Sequence, residues 1–145
     1  MHWCDQKNAA GILMPDIDGS RKIFNIKTKE VFDIECKDPF NSKMPLVTIG
    51  NYHFYTDAFE KANSILLEAF DDNNWLIIDE AGKLELNSKG LYPAIKFITG
   101  QEVYKTAGKN LLIVVRDSLY EEVISFFNLS IHTLINDITK LPVTG

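Results

Sequence analysis

The stretch WLIIDEAGKLEL, residues 75–86, decides how this sequence is interpreted. Four apolar residues, Trp75 to Ile78, run into the adjacent carboxylates Asp79 and Glu80, and a Gly82-Lys83 turn follows. Because the apolar residues do not alternate with polar ones, they predict a parallel strand that is buried on both faces. Ligands of open α/β sheets bind at the carboxyl ends of such strands. The two carboxylates are therefore predicted to lie at a ligand-binding edge.

These two side chains suit metal-assisted phosphate chemistry. Asp79 can hold Mg²⁺, because magnesium prefers oxygen ligands and keeps part of its hydration shell. Glu80 can orient and polarise an attacking water. The plainer interpretation is that acidic residues end an apolar strand in order to keep it in water, and from the dipeptide alone it is the stronger one.

Composition limits the function classes. The 145 residues fit one domain, 1–145, with 46% hydrophobic and 24% charged residues, as in an ordinary soluble protein. The net charge of −5 argues against a nucleic-acid surface, and no apolar run approaches the ~18 residues of a membrane span. Cys4 and Cys36 form no CxxC pair, and no leader segment precedes them, which predicts free thiols and a cytoplasmic location. The histidines show no ligand spacing for zinc.

The first half of the chain predicts a meander of short, mainly antiparallel strands. An Asp18-Gly19 turn joins two strand-like runs, and a further turn at Thr28-Lys29 leads to a third. Residues 36–45, with two prolines, predict a loop. Apolar residues then recur at helical spacing, which predicts a helix at about Asp57 to Phe70.

The second half predicts an alternation of strands and helices, typical of an α/β fold. A helix is expected from about Tyr92 to Thr99, and a buried strand at Leu111 to Val115. Ser118 with Glu121 predicts a capping box that starts another helix. Ser130 to Ile135 is expected to form a last short strand.

Several segments together resemble one known family. The string IIDEAGKLEL at residues 77–86 resembles the IDEIGKMEL signature of the thermophilic nucleoside-triphosphatases, a branch of the P-loop NTPases. AGILMP at 10–15 resembles the family's GGFxTP strand, IGNY at 49–52 resembles its VGKY segment, and VVRD at 114–117 resembles the strand end that faces the γ-phosphate. The resemblance covers about Ala10 to Ile135. Its departures are Met14 where the family usually has Thr, Lys29 where it has Gly, and Ala81 where it has Ile.

This resemblance implies a fold and a set of roles. The fold is an incomplete P-loop NTPase-like, mostly parallel sheet flanked by helices, with the antiparallel meander at its N-terminal end. Asp79 is implied as the ligand of Mg²⁺ and the cofactor, within a Walker B-like pair. Glu80 is implied as the water-orienting base, Arg116 as the charge stabiliser at the γ-phosphate, and Glu85 as a cofactor-binding group behind the ligands. Lys83 is more readily a turn residue than a phosphate contact.

The sequence contains no phosphate-binding loop of the Walker A form GxxxxGK[ST]. Only Gly82 and Gly108 precede a lysine, and neither has the upstream glycine or the following Ser or Thr that the loop requires. By the resemblance, the loop would lie before Ala10, and the polar residues 1–8 correspond to the end of the helix that follows it.

The absent loop also affects the expected sheet. By the resemblance, its strand would lie between residues 111–115 and 130–135. Four or five backbone groups left buried and unpaired there, at ~1–3 kcal/mol each, rival a total stability of ~5–15 kcal/mol. We expect self-association or insertion of the N-terminal segment to fill the gap. A rearrangement that admits water, or a separate polypeptide that carries the loop, are the other solutions.

Two functional hypotheses follow. The first is a nucleoside-triphosphatase domain with weak or no hydrolysis as a lone chain, because two carboxylates without a phosphate cradle position a triphosphate poorly. The second is a non-catalytic binding or scaffold module. A third possibility is that the native gene product is longer, with Met1 an internal methionine.

Overall fold

The computed structural model describes residues 2–72, 74–106, 108–130 and 132–142. The strands are, in chain order, β1 (Ala9–Leu13), β2 (Asp16–Ile17), β3 (Ser20–Asn25), β4 (Val31–Asp33), β5 (Leu46–Ile49), β6 (Tyr52–Tyr55), β7 (Trp75–Ala81) and β8 (Asn110–Val115). The α-helices are α1 (His2–Gln6), α2 (Thr56–Asp72), α3 (Lys83–Leu86), α4 (Tyr92–Thr99), α5 (Val103–Thr106) and α6 (Tyr120–Phe126). Short 3₁₀ helices occupy Asp117–Leu119 and Ile138–Lys140.

The main sheet has the strand order β2-β3-β1-β7-β8, and β4 pairs with β3. The strands β1, β7 and β8 are parallel and form its centre and one edge, whereas β2, β3 and β4 pair antiparallel. Strands β5 and β6 form a separate hairpin. The predicted α/β class, with a parallel sheet, flanking helices and an antiparallel meander, is confirmed.

Local sequence explains the pairing of β1 with β7. Gly11 lies opposite Ile77, with φ at +117°, and a Cβ placed on it would lie 2.0 Å from the Ile77 carbonyl oxygen. Only glycine lets the two backbones approach this closely. In the two-residue loop that joins β2 to β3, Asp18 and Gly19 both have positive φ, as this kind of hairpin loop requires.

The two faces of the sheet are covered differently. Helices α2, α4 and α6 cover one face, where the apolar side chains of β7 at positions 76 and 78 enter the main core. On the other face, α1 contributes Trp3 and Cys4, which pack around Ile77 and Ile26. Trp3 meets the ring of Trp75 edge-on at 5.1 Å between centroids. Leu76, Ile77 and Ile78 are thus all buried, as predicted for a strand covered on both faces.

Three expectations at the chain level are wrong. Ser130 and residues 132–135 lie outside regular structure, because no neighbouring strand pairs with them among the described residues; Ile131 lies outside those residues. The capping box of Ser118 with Glu121 does not form. Ser118 lies inside the 3₁₀ turn, α6 begins at Tyr120, and no side-chain hydrogen bond caps it. The N-terminal segment does not fill the sheet, because residues 2–6 are helical and pack on its face.

Candidate active site at the carboxyl ends of β1, β7 and β8

The candidate site lies at the edge where the three parallel strands end, here called the carboxyl edge and defined by Met14, Asp79, Glu80 and Arg116. The pairing of β7 with β8 is regular up to Asp79 opposite Val114, and then shifts so that Ala81 faces Val115. Glu80 is the extra residue of this bulge. The peptide bond between Asp79 and Glu80 is cis. Bulges can re-aim side chains next to active sites. Here Asp79 contacts Met14 at the end of β1, whereas Glu80 contacts Arg116 at the end of β8.

Asp79 is held against the end of β1. Its Oδ2 accepts a hydrogen bond from the backbone N–H of Met14 at 3.2 Å. Burial raises the pKa of Asp79; the Met14 N–H opposes this, the neighbouring Glu80 adds to it, and the charge of Arg21 opposes it. The net direction is upward, so the folded protein disfavours the ionised carboxylate relative to a solvated aspartate. Raised pKa values are common among carboxylates that bind ligands at functional sites.

Glu80 and Arg116 form an ion pair between the ends of neighbouring strands. Arg116 Nη2 lies 3.3 Å from Glu80 Oε1, and the two side chains are 62% and 25% exposed. At this exposure the pair contributes little to stability. The pair matters for the site because it places a guanidinium beside a carboxylate at the carboxyl edge. The structure thus brings together Asp79, Glu80 and Arg116.

Arg21 is a further cation at this edge that the sequence reasoning missed. Its Nη1 donates to the carbonyl oxygen of Met14 at 3.0 Å, and its charge lowers the pKa of Asp79. Glu35 fixes the backbone of Arg21, because Glu35 Oε2 accepts the Arg21 N–H at 2.9 Å. Burial raises the pKa of Glu35, but hydrogen bonds from Lys37 and Arg21 outweigh it and the net direction is downward. In the sequence Arg21 follows a turn, and only the β2–β3 hairpin carries it to Met14.

Glu85 has a different position from the other predicted site residues. It is 4% exposed, and its two oxygens accept the backbone N–H groups of Gly82 at 2.8 Å and Leu91 at 2.9 Å. Gly90 packs against it so closely that an added Cβ would lie 2.4 Å from Glu85 Oε1. Burial raises the pKa of Glu85, and these N–H groups oppose the rise. Glu85 therefore fixes the turn after β7, while Lys83 is exposed in the first turn of α3.

The side chains at the carboxyl edge fit a magnesium ion only if waters and substrate phosphates supply its remaining ligands. Among the described residues, no group of three or more His, Cys, Asp or Glu side chains could hold a metal ion. Mg²⁺ in phosphate-transfer sites takes one or two carboxylates, with waters and substrate phosphates as the remaining ligands. The partly buried carboxylate of Asp79 at a strand end fits that shared coordination, and it does not fit a cage made of protein ligands alone.

No described helix is both long and apolar enough to cross a bilayer. Cys4 and Cys36 are both buried free thiols, as predicted.

Comparison with known proteins agrees with this architecture. The crystal structure of THEP1 from the hyperthermophile Aquifex aeolicus superposes with a TM-score of 0.50 at 22% identity, over 86% of this chain and 87% of that one. At this identity the likeness concerns the fold. No curated protein matches the sequence. The family model described as NTPase matches residues 5–139, which is nearly the whole chain, and the protein therefore belongs to the NTPase family.

Proposed function

We propose that the carboxyl edge is a nucleoside-triphosphate hydrolysis site. The observation that carries the proposal is the convergence of Asp79, Glu80 and Arg116 at the ends of two adjacent parallel strands, with Arg116 Nη2 3.3 Å from Glu80 Oε1. Two carboxylates and a guanidinium at such an edge provide the groups that phosphoryl transfer to water uses. Family membership supports the same reaction class.

Each residue has a role in this proposal. Asp79 would hold Mg²⁺ together with the nucleotide phosphates, and the ion would supply positive charge against the triphosphate. Glu80 orients the attacking water and accepts its proton as the oxygen bonds to the γ-phosphorus. The bond from that phosphorus to the leaving diphosphate oxygen breaks. Arg116 stabilises the negative charge on the phosphoryl group, and Glu85 keeps the turn behind Glu80 in place.

A polypeptide of these 145 residues is expected to hydrolyse nucleoside triphosphates weakly or not at all. Glu80 and Asp79 bring negative charge toward a triphosphate, and Arg116 and Arg21 are the cations that the described edge offers against it. The sequence has no GxxxxGK[ST] loop whose N–H groups would cradle the phosphates. Electrostatic positioning is the main source of catalysis in this chemistry.

A non-catalytic role is the alternative: a binding or scaffold module, or the partner of a polypeptide that supplies the phosphate-binding loop. The observation in its favour is the Arg116–Glu80 ion pair itself, because each group neutralises the other where a ligand would need both. The buried free thiols Cys4 and Cys36 fit either role in the cytoplasm.

Phosphate release from ATP and GTP with Mg²⁺ tests the catalytic proposal. Turnover above the buffer rate is expected to fall to that rate in the Glu80→Gln variant, which keeps size and removes the base. Lys83→Ala is the matched control, since Lys83 is exposed at the start of α3, three residues after Glu80, and it should retain turnover. Turnover that survives Glu80→Gln contradicts the assignment. Equal buffer-level rates in all variants favour the non-catalytic alternative.

A further inference from the structure

Met14 connects two charged side chains at the carboxyl edge. Its backbone N–H donates to Asp79 Oδ2 at 3.2 Å, and its carbonyl oxygen accepts a hydrogen bond from Arg21 Nη1 at 3.0 Å. Both contacts are partly buried. The Arg21 guanidinium is therefore linked to the proposed magnesium ligand through the backbone of a single residue.

The chain restricts how far Met14 can move. Met14 directly precedes Pro15, and a residue in that position is biased toward extended conformations. The carbonyl oxygen of Pro15 accepts the backbone N–H of Lys22 at 2.9 Å. Two consecutive residues of β3, Arg21 and Lys22, thus hold the two consecutive residues that follow β1.

Glu35 fixes Arg21 in turn. The Glu35 side chain is 7% exposed, and its Oε2 accepts the Arg21 backbone N–H at 2.9 Å. The backbone N–H of Glu35 donates to the Arg21 carbonyl oxygen at 3.4 Å. Lys37 Nζ lies 2.6 Å from Glu35 Oε1 and balances the charge of this carboxylate. Glu35 therefore holds both backbone polar groups of Arg21, while the guanidinium contacts Met14.

The second carboxylate oxygen of Asp79 is left for a ligand. Within the described residues, Oδ1 accepts no hydrogen bond, and every buried side-chain oxygen or nitrogen has a partner, so Oδ1 reaches solvent. Carboxylates that bind metals are commonly held by hydrogen bonds from neighbouring groups, and loss of such a group costs about 10–100-fold in metal affinity.

We propose that Arg21 is a positioning residue for Asp79. By fixing Met14, Arg21 keeps the Met14 N–H on Asp79 Oδ2 and leaves Oδ1 in place for a divalent cation. The antiparallel meander, which carries Arg21, thereby takes part in the site. The inference rests on the proposed function, because it needs Asp79 to be the metal ligand.

The sign of the effect separates positioning from charge. The positive charge of Arg21 repels a metal ion, so charge alone predicts that its removal strengthens metal binding. Positioning predicts that removal weakens it, by about 10–100-fold. The loss should be the same at pH 7 and pH 8, because a loss caused by proton competition for Asp79 would shrink at the higher pH.

A titration with Mn²⁺ alone, in the absence of nucleotide, tests the proposal. The methionines are Met1, Met14 and Met44, so ¹⁵N-methionine gives few amide signals, and the signal lost in Met14→Leu is that of Met14. Mn²⁺ takes oxygen ligands as Mg²⁺ does, and it should broaden the Met14 signal when it binds Asp79. Arg21→Gln should need about 10–100-fold more Mn²⁺, because its amide nitrogen stops at the position of the Arg21 Nε.

Two further variants complete the titration. Arg21→Lys keeps the charge but stops short of Nη1, so it should weaken Mn²⁺ binding by less than Arg21→Gln. Lys22→Met removes the neighbouring cation, which pairs with Asp33, and should bind Mn²⁺ as the wild type does. Circular dichroism identifies the variants that remain folded, and either folded Arg21 variant carries the test.

Exchange of the Met14 amide with D₂O gives a second readout that needs no metal. It should be about tenfold faster in Arg21→Gln, because the hydrogen bond to Asp79 is loosened. A wild-type signal that Mn²⁺ leaves sharp, or that it broadens equally in Asp79→Asn, overturns the metal site of the proposed function and this inference with it. Mn²⁺ binding at Asp79 that the folded Arg21 variants retain in full, or an unchanged exchange rate, overturns the role of Arg21 alone.

Discussion

At the residue scale, Asp79 is the proposed ligand of Mg²⁺, and its partly buried carboxylate also has a measurable effect on the stability of the protein. Burial raises its pKa above the ordinary value of 3.8. An acid whose folded pKa is raised lowers the stability of the protein as pH rises from its unfolded pKa through its folded pKa. Functional carboxylates are commonly retained despite such a penalty.

Asp79→Asn is therefore expected to be more stable than the wild type at pH 7, because the amide keeps an acceptor for the Met14 N–H without a buried charge. The difference should shrink as pH falls toward 3.8. Urea unfolding at pH 7 and pH 4.5 measures it. Asp16→Asn, at an exposed position, should stay within ~0.5 kcal/mol. A variant that is less stable at pH 7 would contradict this account of Asp79.

Glu85 leads to the opposite expectation, although burial raises its pKa too. Gln offers one acceptor oxygen where Glu85 uses two, so a buried N–H of Gly82 or Leu91 loses its partner. Glu85→Gln should destabilise the protein by about 1–3 kcal/mol. Exposed Glu60→Gln is the control. Equal denaturation midpoints for Glu85→Gln and the wild type would show that the turn does not depend on this carboxylate.

At the element scale, a long periodic segment and unbroken apolar runs were predictable, and very short elements were not. Helix α2 follows from hydrophobic spacing over many residues, and strands β7 and β8 follow from runs of consecutive apolar residues. Helices α3 and α5 were missed because four residues show no period, and α3 depends on Glu85 reaching back to Gly82. Ser118 and Glu121 are the residue types of a capping box, but a 3₁₀ turn at Asp117–Leu119 moves the start of helix α6 to Tyr120.

The pairing of β1 with β7 gives a prediction about Gly11. Gly11→Ala should destabilise the protein by about 3 kcal/mol or more, since it combines a backbone clash with Ile77 and a strained positive φ. Gly19→Ala is the matched control. It also has positive φ, but nothing lies within 4 Å of an added Cβ, so the loss should be about 1 kcal/mol. Similar losses for both variants in thermal unfolding would contradict the close approach.

The turn between β3 and β4 gives a prediction about Lys29, which has φ at +64°. Lys29→Gly should stabilise the protein by about 0.5–1 kcal/mol, because glycine adopts this conformation without steric strain. The ion pair with Asp5 is exposed and contributes little. Lys29→Ala removes that pair but keeps the strain, so it should be near neutral. A destabilised Lys29→Gly would mean that the ion pair outweighs the backbone.

At the scale of the whole molecule, the sequence predicted the carboxylates of the proposed site but only part of their surroundings. Asp79 and Glu80 were predictable because they end an apolar strand, where ligands of open α/β sheets bind, and Arg116 was predictable from the family resemblance. Arg21 was not, because its approach to Met14 depends on how the hairpin folds back. The expected strand at 130–135 assumed a neighbour that the described residues do not provide.

The most direct test of the central claim is the melting temperature with Mg²⁺ and ATP or GTP. For a Kd of ~1 mM, 10 mM nucleotide should stabilise the wild type by about 1.4 kcal/mol, a rise of roughly 3–6 °C. The rise should require both metal and nucleotide and be absent in Asp79→Asn, each compared with its own unliganded protein. No rise in the wild type, or an equal rise in Asp79→Asn, would contradict a metal–nucleotide site at the carboxyl edge.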